Sequence, residues 1–150
     1  MSAPKTILVA TDFSDPADRA LDYALELAEK LGASVTVMHA YDIRPLDFLD
    51  GALVASADVP GQIVKAARAG LEATVAQRAR ATVQVSTLLR AGEPRDQIHA
   101  AADEIGADLI VLGTHGHRGI SRVLLGSVAE YVVRTATRPV LTVHAPRAHA

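Results

Sequence analysis

Hydrophobic residues along the chain form two alternating kinds of segment. Short runs rich in Val, Ile and Leu are typical of buried strands, and five of them occur in the 150 residues. These predicted strands cover residues 5–11, 34–41, 82–89, 108–112 and 139–144. Longer segments with apolar residues at helical spacing lie between them. The pattern therefore predicts strands that alternate with helices.

The first predicted helix carries the clearest signals. Ala and Leu recur on one face from residue 17 to 31, Asp15 is a candidate N-cap, and Pro16 is a candidate first helical residue. Gly32 follows as the C-terminal stop. Residues 42–60 lack a clear period and are predicted to form a long loop, with a helical turn as an alternative within it. Further helices are predicted over residues 62–80, 95–105 and 127–135.

Strands separated by helices imply parallel pairing through right-handed crossovers. The predicted fold class is α/β, an open five-stranded parallel sheet with helices on both faces. A length of 150 residues suits one domain over residues 1–150. The pattern contains no strong repeat and no sign of a second domain.

Composition narrows the classes of function. Hydrophobic residues make up 49% of the chain and aromatic residues 3%, so the core is expected to be aliphatic. Lys and Arg number 15 against 17 Asp and Glu, a net charge of −2 that does not favour a broad nucleic-acid or membrane-binding surface. Cysteine is absent, which excludes disulfides and thiolate catalysis. The first apolar run is too short for a signal peptide or a membrane span, so a cytoplasmic protein is expected.

A glycine-rich segment after the fourth predicted strand carries the candidate chemistry, and it reads GTHGHRGISRVLLGS over residues 113–127. Glycine lets main-chain N–H groups surround an anion, and the Gly126-Ser127 pair opens a helix whose first N–H groups favour phosphate. Ligands of open α/β sheets bind where the strand order reverses. With the order 3-2-1-4-5, this segment would meet the loop after the first strand there. Spacing alone also fits an ordinary glycine-rich connection, since neither a P-loop motif nor GxGxxG is present.

The chain resembles the universal stress protein family, specifically its nucleotide-binding branch. That branch carries the motif G-x2-G-x9-G followed by Ser or Thr, which here reads Gly113, Gly116, Gly126 and Ser127. The segments ILVATDFS (7–14) and RPVLTVH (138–144) are similar to the first and last strands of the family. The resemblance covers essentially the whole chain.

The resemblance implies a fold, a ligand and an assembly. The fold is a Rossmann-like parallel sheet of order 3-2-1-4-5, like that of the adenine nucleotide alpha hydrolases. The ligand is an adenine nucleotide, usually ATP, at the point where the strand order reverses. The assembly is a homodimer through the last strand, from Pro139 to His144. Such a protein would act as a nucleotide-dependent stress-response or regulatory switch.

The same resemblance implies particular ligand contacts. Asp12, with Thr11 beside it, matches the acidic position near the adenosine, and the main chain of Ala40 matches the position that faces adenine. A negative carboxylate repels phosphate, so Asp12 is better suited to ribose hydroxyls or the adenine amine. The remaining expected contacts lie in or beside the phosphate loop and are Gly113, Gly116, His117, Gly126, Ser127 and Val128.

Simpler interpretations stay open at several of these positions. Asp12 could stabilise a turn, and Ser127 could serve only as an N-cap. His115 and His117 lack a third ligand nearby, so no metal site is assigned, and any Mg²⁺ is expected to arrive with the nucleotide phosphates. No catalytic residue is assigned, because no side chain near the loop is clearly placed to act as a general base. Slow ATP hydrolysis or another nucleotide-dependent reaction at this site, or an interaction module without nucleotide, are the alternative functions.

Overall fold

The computed structural model describes residues 2–42, 59–114 and 125–144. In these ranges the chain forms the expected parallel sheet. Its strands are β1 (Thr6–Ala10), β2 (Ser34–Tyr41), β3 (Val85–Ala91), β4 (Leu109–Gly113) and β5 (Val140–Val143). Their order is β3-β2-β1-β4-β5 with every neighbouring pair parallel, which confirms the predicted topology.

The helices of the described ranges are α1 (Asp15–Leu31), α2 (Val59–Arg78), α3 (Pro94–Ile105) and α4 (Ser127–Thr135). The prediction of a loop up to residue 60 is wrong at its end, because α2 already begins at Val59. The rest of that predicted loop, residues 43–58, lies outside the described ranges.

The start of β3 also differs from the prediction, which placed it at residue 82. The backbone N–H of Val83 donates to the carbonyl of Arg80 over 3.1 Å, so residues 80–83 form a turn after α2. Val83 is nevertheless buried in the core. A buried apolar residue in a turn imitates the alternation of a strand, and the strand itself begins at Val85.

The beginning of α1 corrects the prediction of Asp15 as its N-cap. Ser14 is the cap, and its hydroxyl accepts a hydrogen bond from the backbone N–H of Ala17 at 3.3 Å. Pro16 lies in the first turn, where a missing N–H costs nothing. Gly32 ends the helix as expected, in the left-handed region at φ 68°.

Alternating side chains of the strands build two core layers. Ile7 and Val9 of β1 face α1 and α2, whereas Leu8 between them faces α3 and α4. Small residues of α1 such as Ala20 and Ala24 bring that helix close to the sheet. The core is aliphatic, as the composition predicts. With helices on both faces, the strand ends are the places where a ligand can reach the sheet.

Asp108 ties the amino ends of β1 and β4 together. Its Oδ2 accepts hydrogen bonds from the backbone N–H groups of Lys5 at 2.9 Å and Thr6 at 3.0 Å. The bond from Lys5, followed by that from Thr6, holds the pKa of the Asp108 carboxyl below its usual value. This carboxylate lies at the edge of the sheet opposite to the strand carboxyl ends.

Candidate functional site

A cavity of about 450 Å³ opens at the carboxyl ends of β1, β2 and β4, where the strand order reverses. This volume lies within the range of small-molecule sites, roughly 300 to 1,000 Å³. The strand ends contribute residues 10–12, 38–40 and 112–114, and the helices contribute Ala17, Pro94, Ile98 and residues 126–129. Loops from both halves of the sheet therefore surround one space.

Part of the cavity wall is apolar. Met38, Ile98 and Leu112 are buried side chains that line it, together with the small residues Ala10 and Ala40. Ala40 lies in β2 opposite Arg90 of β3, so its main chain runs along the cavity wall. Small side chains on the strands leave room for a flat ring beside the sheet.

Another part of the wall is formed by the beginning of α4. Gly126 is its N-cap, and the next residues, Ser127 and Val128, line the cavity. The first N–H groups of a helix have no acceptor inside the helix, and they carry a partial positive charge. The start of α4 thus offers main-chain donors and a favourable field to an anion.

A main-chain contact joins the start of α4 to the end of β4. The backbone N–H of Gly126 donates to the carbonyl of Thr114, and the N–H of Thr114 donates to Val143 of β5 over 3.1 Å. Thr114 is fully buried. The two chain ends that flank residues 115–124 are therefore held together at the cavity.

The loop after β1 is a tight turn built by its own side chains. Oδ1 of Asp12 accepts from the backbone N–H of Ser14 at 3.0 Å and from the Ser14 hydroxyl. The hydroxyl of Thr11 accepts from the backbone N–H of Phe13 at 3.0 Å. Asp12 does stabilise a turn, as the simpler interpretation holds. An ionised carboxylate accepts at both of its oxygens, so this role is compatible with contact to a ligand.

Gly113 allows the end of β4 to approach the first turn of α1. A Cβ atom at this position would lie 2.8 Å from the carbonyl carbon and oxygen of Pro16 and 3.1 Å from the nitrogen of Ala17. These are main-chain atoms of a capped helix, which cannot move aside cheaply. Packing alone requires glycine here, a reason that the motif spacing does not reveal.

The structure brings most of the predicted contact residues to this cavity. Those that line it are Thr11, Asp12, Ala40, Gly113, Gly126, Ser127 and Val128. Gly116 and His117 lie outside the described residues, as does His115. The location of these residues at the cavity does not test contact with a ligand, which stays a prediction.

Some lining residues were not predicted. Pro94 and Ile98 come from the beginning of α3, and His39 comes from β2 next to Ala40. A signal for Pro94 was available, because every loop that follows a strand in a parallel sheet emerges at the same edge. His39 gave no signal, since a single histidine in an apolar strand fits a packed core equally well.

Titratable groups are few at this cavity. Among the lining residues that the structure describes, they are Asp12 and His39. The described residues contain no group of three or more His, Cys, Asp or Glu that could hold a metal ion. None of the helices in the described ranges combines the length and hydrophobicity that a membrane crossing requires.

Comparison with known proteins adds an independent finding. The family model of the universal stress protein family matches residues 4–144. The universal stress protein MJ0577 of Methanocaldococcus jannaschii has a solved structure that is similar to this chain, with a TM-score of 0.82. The two sequences are 26% identical, and the match covers 96% of this chain and 98% of the other.

Two further solved structures of similar proteins hold nucleotides. A universal stress protein in complex with cAMP is 32% identical, with a TM-score of 0.71 and coverage of 95% of this chain and 98% of that one. A universal stress protein from Archaeoglobus fulgidus in complex with dAMP is 26% identical, with a TM-score of 0.63 and the same coverage of 95% and 98%. The two ligands share adenine and differ in sugar and phosphate.

Proposed function

Because the chain belongs to the universal stress protein family, we propose that it binds an adenine nucleotide, ATP in the first place, in the cavity at the carboxyl ends of β1, β2 and β4. One observation carries the proposal. A cavity of about 450 Å³ has buried aliphatic side chains and the beginning of a helix in the same wall. A nucleotide needs both, apolar contact for its flat base and main-chain donors for its anionic phosphates.

The base contacts the apolar part of the wall in this proposal. Met38, Ile98 and Leu112 supply buried contact surface, and the main chain of Ala40 supplies hydrogen-bonding groups for the edge of adenine. Asp12 lies at the end of β1, beside the same space. Its carboxylate accepts from ribose hydroxyls or the adenine amine, because a negative group cannot favour the phosphates.

The phosphates lie at the beginning of α4 in this proposal. The N–H groups of Ser127 and Val128 and the Ser127 hydroxyl face them there, while Gly126, whose own N–H donates to Thr114, brings the chain close to the phosphates. Gly116 and His117 are included in the proposed contacts through the motif alone. Mg²⁺ arrives on the phosphates, which suits an ion that keeps several waters and uses few protein ligands.

A homodimer through β5 completes the proposal. β5 lies at the end of the sheet, and its outer edge pairs with no strand among the described residues. The Pro139 carbonyl accepts from the N–H of Ile110 at 3.0 Å, and the Val143 carbonyl accepts from the N–H of Thr114 at 3.1 Å, so both face β4. Main-chain groups of successive strand residues point to opposite edges, and those of Thr142 therefore point to the outer edge. An exposed edge of this kind favours pairing with a second strand. In this proposal the bound nucleotide determines which partner proteins the dimer binds.

The ligand released from the purified protein tests the proposal most directly. The protein is purified without added nucleotide and denatured, and the released molecules are identified by mass spectrometry. Titrations of the ligand-free protein with adenosine, AMP, cAMP, ATP and GTP, with and without Mg²⁺, then rank the affinities. We expect adenine compounds to bind and GTP to bind far more weakly. If no adenine compound is released and none binds, nucleotide binding is excluded and the protein is an interaction module.

The same titrations separate binding from reaction. Phosphate release is followed after the protein is mixed with ATP and Mg²⁺. We expect a rate no higher than that of ATP without protein, because the described lining residues offer no catalytic base other than Asp12 and His39. Turnover that purifies with the protein would instead establish the enzymatic alternative.

A further inference from the structure

We propose that His39 is a positioning residue for the nucleotide site: its imidazole holds the turn of residues 11–14 so that Asp12 faces the cavity. The inference rests on the proposed nucleotide binding. It concerns a side chain that neither the motif nor the composition singled out.

The turn contains an unfavourable backbone conformation. Phe13 has a φ of 66°, and among the described residues it is the one position other than glycine with a positive φ. A bulky side chain in the left-handed region is disfavoured, so such a residue persists where its surroundings hold it. Phe13 lies between Asp12 and Ser14, so its conformation brings the N–H and hydroxyl of Ser14 to the Asp12 carboxylate.

A hydrogen bond holds the residue before Asp12. Nδ1 of His39 lies 2.8 Å from the carbonyl oxygen of Thr11. Because a carbonyl only accepts, this contact assigns a proton to Nδ1, which donates to Thr11. The N–H of Thr11 donates in turn to the carbonyl of Met38 at 2.9 Å. Both main-chain groups of Thr11 are therefore bound by β2.

A ring contact holds the residue after Asp12. The rings of Phe13 and His39 lie with their centroids 4.3 Å apart and their planes tilted by 37°. On another side the Phe13 ring meets Gly70 of α2, where an added Cβ would lie 3.4 Å from Cζ of Phe13. The Phe13 side chain is thus fixed between β2 and α2.

One imidazole therefore contacts both neighbours of Asp12. Its edge holds Thr11, and its face holds Phe13. An aliphatic residue at position 39 could fill the same volume, yet it could not donate to the Thr11 carbonyl. A histidine meets both requirements at once, which a role in packing alone does not explain.

Two variants separate these contacts. His39→Phe keeps a ring but removes the donor, whereas His39→Asn keeps an amide donor near the position of Nδ1 but removes the ring. His99→Phe is the matched control, because His99 lies on α3, bonds Thr135 and does not line the cavity. We expect His39→Phe to weaken adenosine binding about fivefold to tenfold, the scale of one lost hydrogen bond. His39→Asn should recover at least half of that loss in free energy, and the control should bind as the unchanged protein does.

A double-mutant cycle distinguishes positioning from general damage. In an Asp12→Ala background, His39→Phe should change adenosine affinity less than twofold, because the group that it positions is gone. An equal loss in both backgrounds would overturn the proposal. So would a fall in the unfolding midpoint that accounts for the whole loss of affinity.

Amide exchange provides a readout without nucleotide. The N–H groups of Phe13 and Ser14 are bonded inside the turn, so His39→Phe should accelerate their hydrogen exchange about tenfold and leave Val37 in β2 unchanged. If no nucleotide binds but this exchange changes, the proposed function fails and the role of His39 in the turn stands. If nucleotide binds but neither exchange nor affinity changes, the role of His39 is refuted.

Discussion

Ser127→Asp gives the sharpest test of where the phosphates lie. Ser127 is the first residue of α4, and its side chain is exposed at the cavity. An aspartate there places a negative charge beside the N–H groups that are proposed to bind phosphate. The same charge interacts favourably with the helix dipole. Affinity and stability should therefore change in opposite directions.

The magnitudes follow from elementary electrostatics. Two unit charges 4 Å apart interact by about 1 kcal/mol in water, and water is the right medium because Ser127 is exposed. A phosphate monoester carries nearly two charges at neutral pH. AMP should therefore lose about 2 kcal/mol, which is about a 30-fold loss of affinity. An acidic residue in the first turn of a helix adds about 0.3–1 kcal/mol of stability, a rise in Tm of about 1–3 °C.

The assay compares three ligands and two variants. Calorimetric titration gives the Kd of adenosine, AMP and ATP for Ser127→Asp and for Ser127→Asn, the neutral control of similar shape. For the aspartate variant we expect adenosine to bind unchanged, AMP about 30-fold more weakly, and ATP at least as much more weakly. The asparagine variant should stay within a few-fold of the unchanged protein for all three.

Two results would refute this reasoning. An equal loss for adenosine and ATP would mean that the variant damages the whole cavity. An unchanged affinity for ATP would mean that the phosphates lie away from α4. A rising Tm with a selective loss of phosphate-bearing ligands cannot arise from unfolding, which makes the combination informative.

Three further predictions concern the assembly and the fold. Thr142→Pro removes an outward N–H of β5 and should convert the dimer to a monomer in analytical ultracentrifugation. Thr87→Pro on β3, the opposite edge strand, is the control and should leave the dimer intact. A dimer that persists in Thr142→Pro does not form through β5. Gly113→Ala should lower the free energy of unfolding by about 1–3 kcal/mol in urea, because its Cβ would meet the main chain of Pro16 at 2.8 Å; an unchanged midpoint would contradict that contact. Asp108→Asn should lower the Tm at neutral pH. The pKa of Asp108 is lower in the folded than in the unfolded protein, so its carboxylate stabilises the fold above the unfolded pKa, and this contribution disappears as pH falls through the folded pKa. The difference in Tm between Asp108→Asn and the original protein should therefore vanish in acid. A difference that persists in acid would have another cause.

Local pattern was enough to predict much of the fold. The helical spacing in α1 and the short aliphatic strands are properties of adjacent residues, and parallel connectivity leaves few topologies. The position of the candidate site follows from the topology, because the loops after β1 and β4 meet where the strand order reverses. Asp12 and Ser127 could therefore be brought to one place without coordinates.

What the sequence did not reveal depends on contacts between distant segments. The buried Val83 resembles the beginning of a strand, and only its bond to Arg80 shows a turn. His39 becomes significant only once Thr11 and Phe13 are seen against it. Side chains that act across 25 or more positions leave no periodic trace, since periodicity reports the surroundings of a single element.

Gly113 shows that packing and binding are not competing explanations. Its missing side chain lets the first turn of α1 lie against the end of β4. The residue after it, Thr114, receives the N–H of Gly126 at the beginning of α4. The turn that carries Asp12 leads directly into the same first turn of α1, so Gly113 joins the segment of Asp12 to the segment that meets α4. A substitution at Gly113 is therefore expected to lower stability and affinity together. Ser127→Asp is expected to raise stability while it weakens only the phosphate contacts, so the exposed position is the better probe of function.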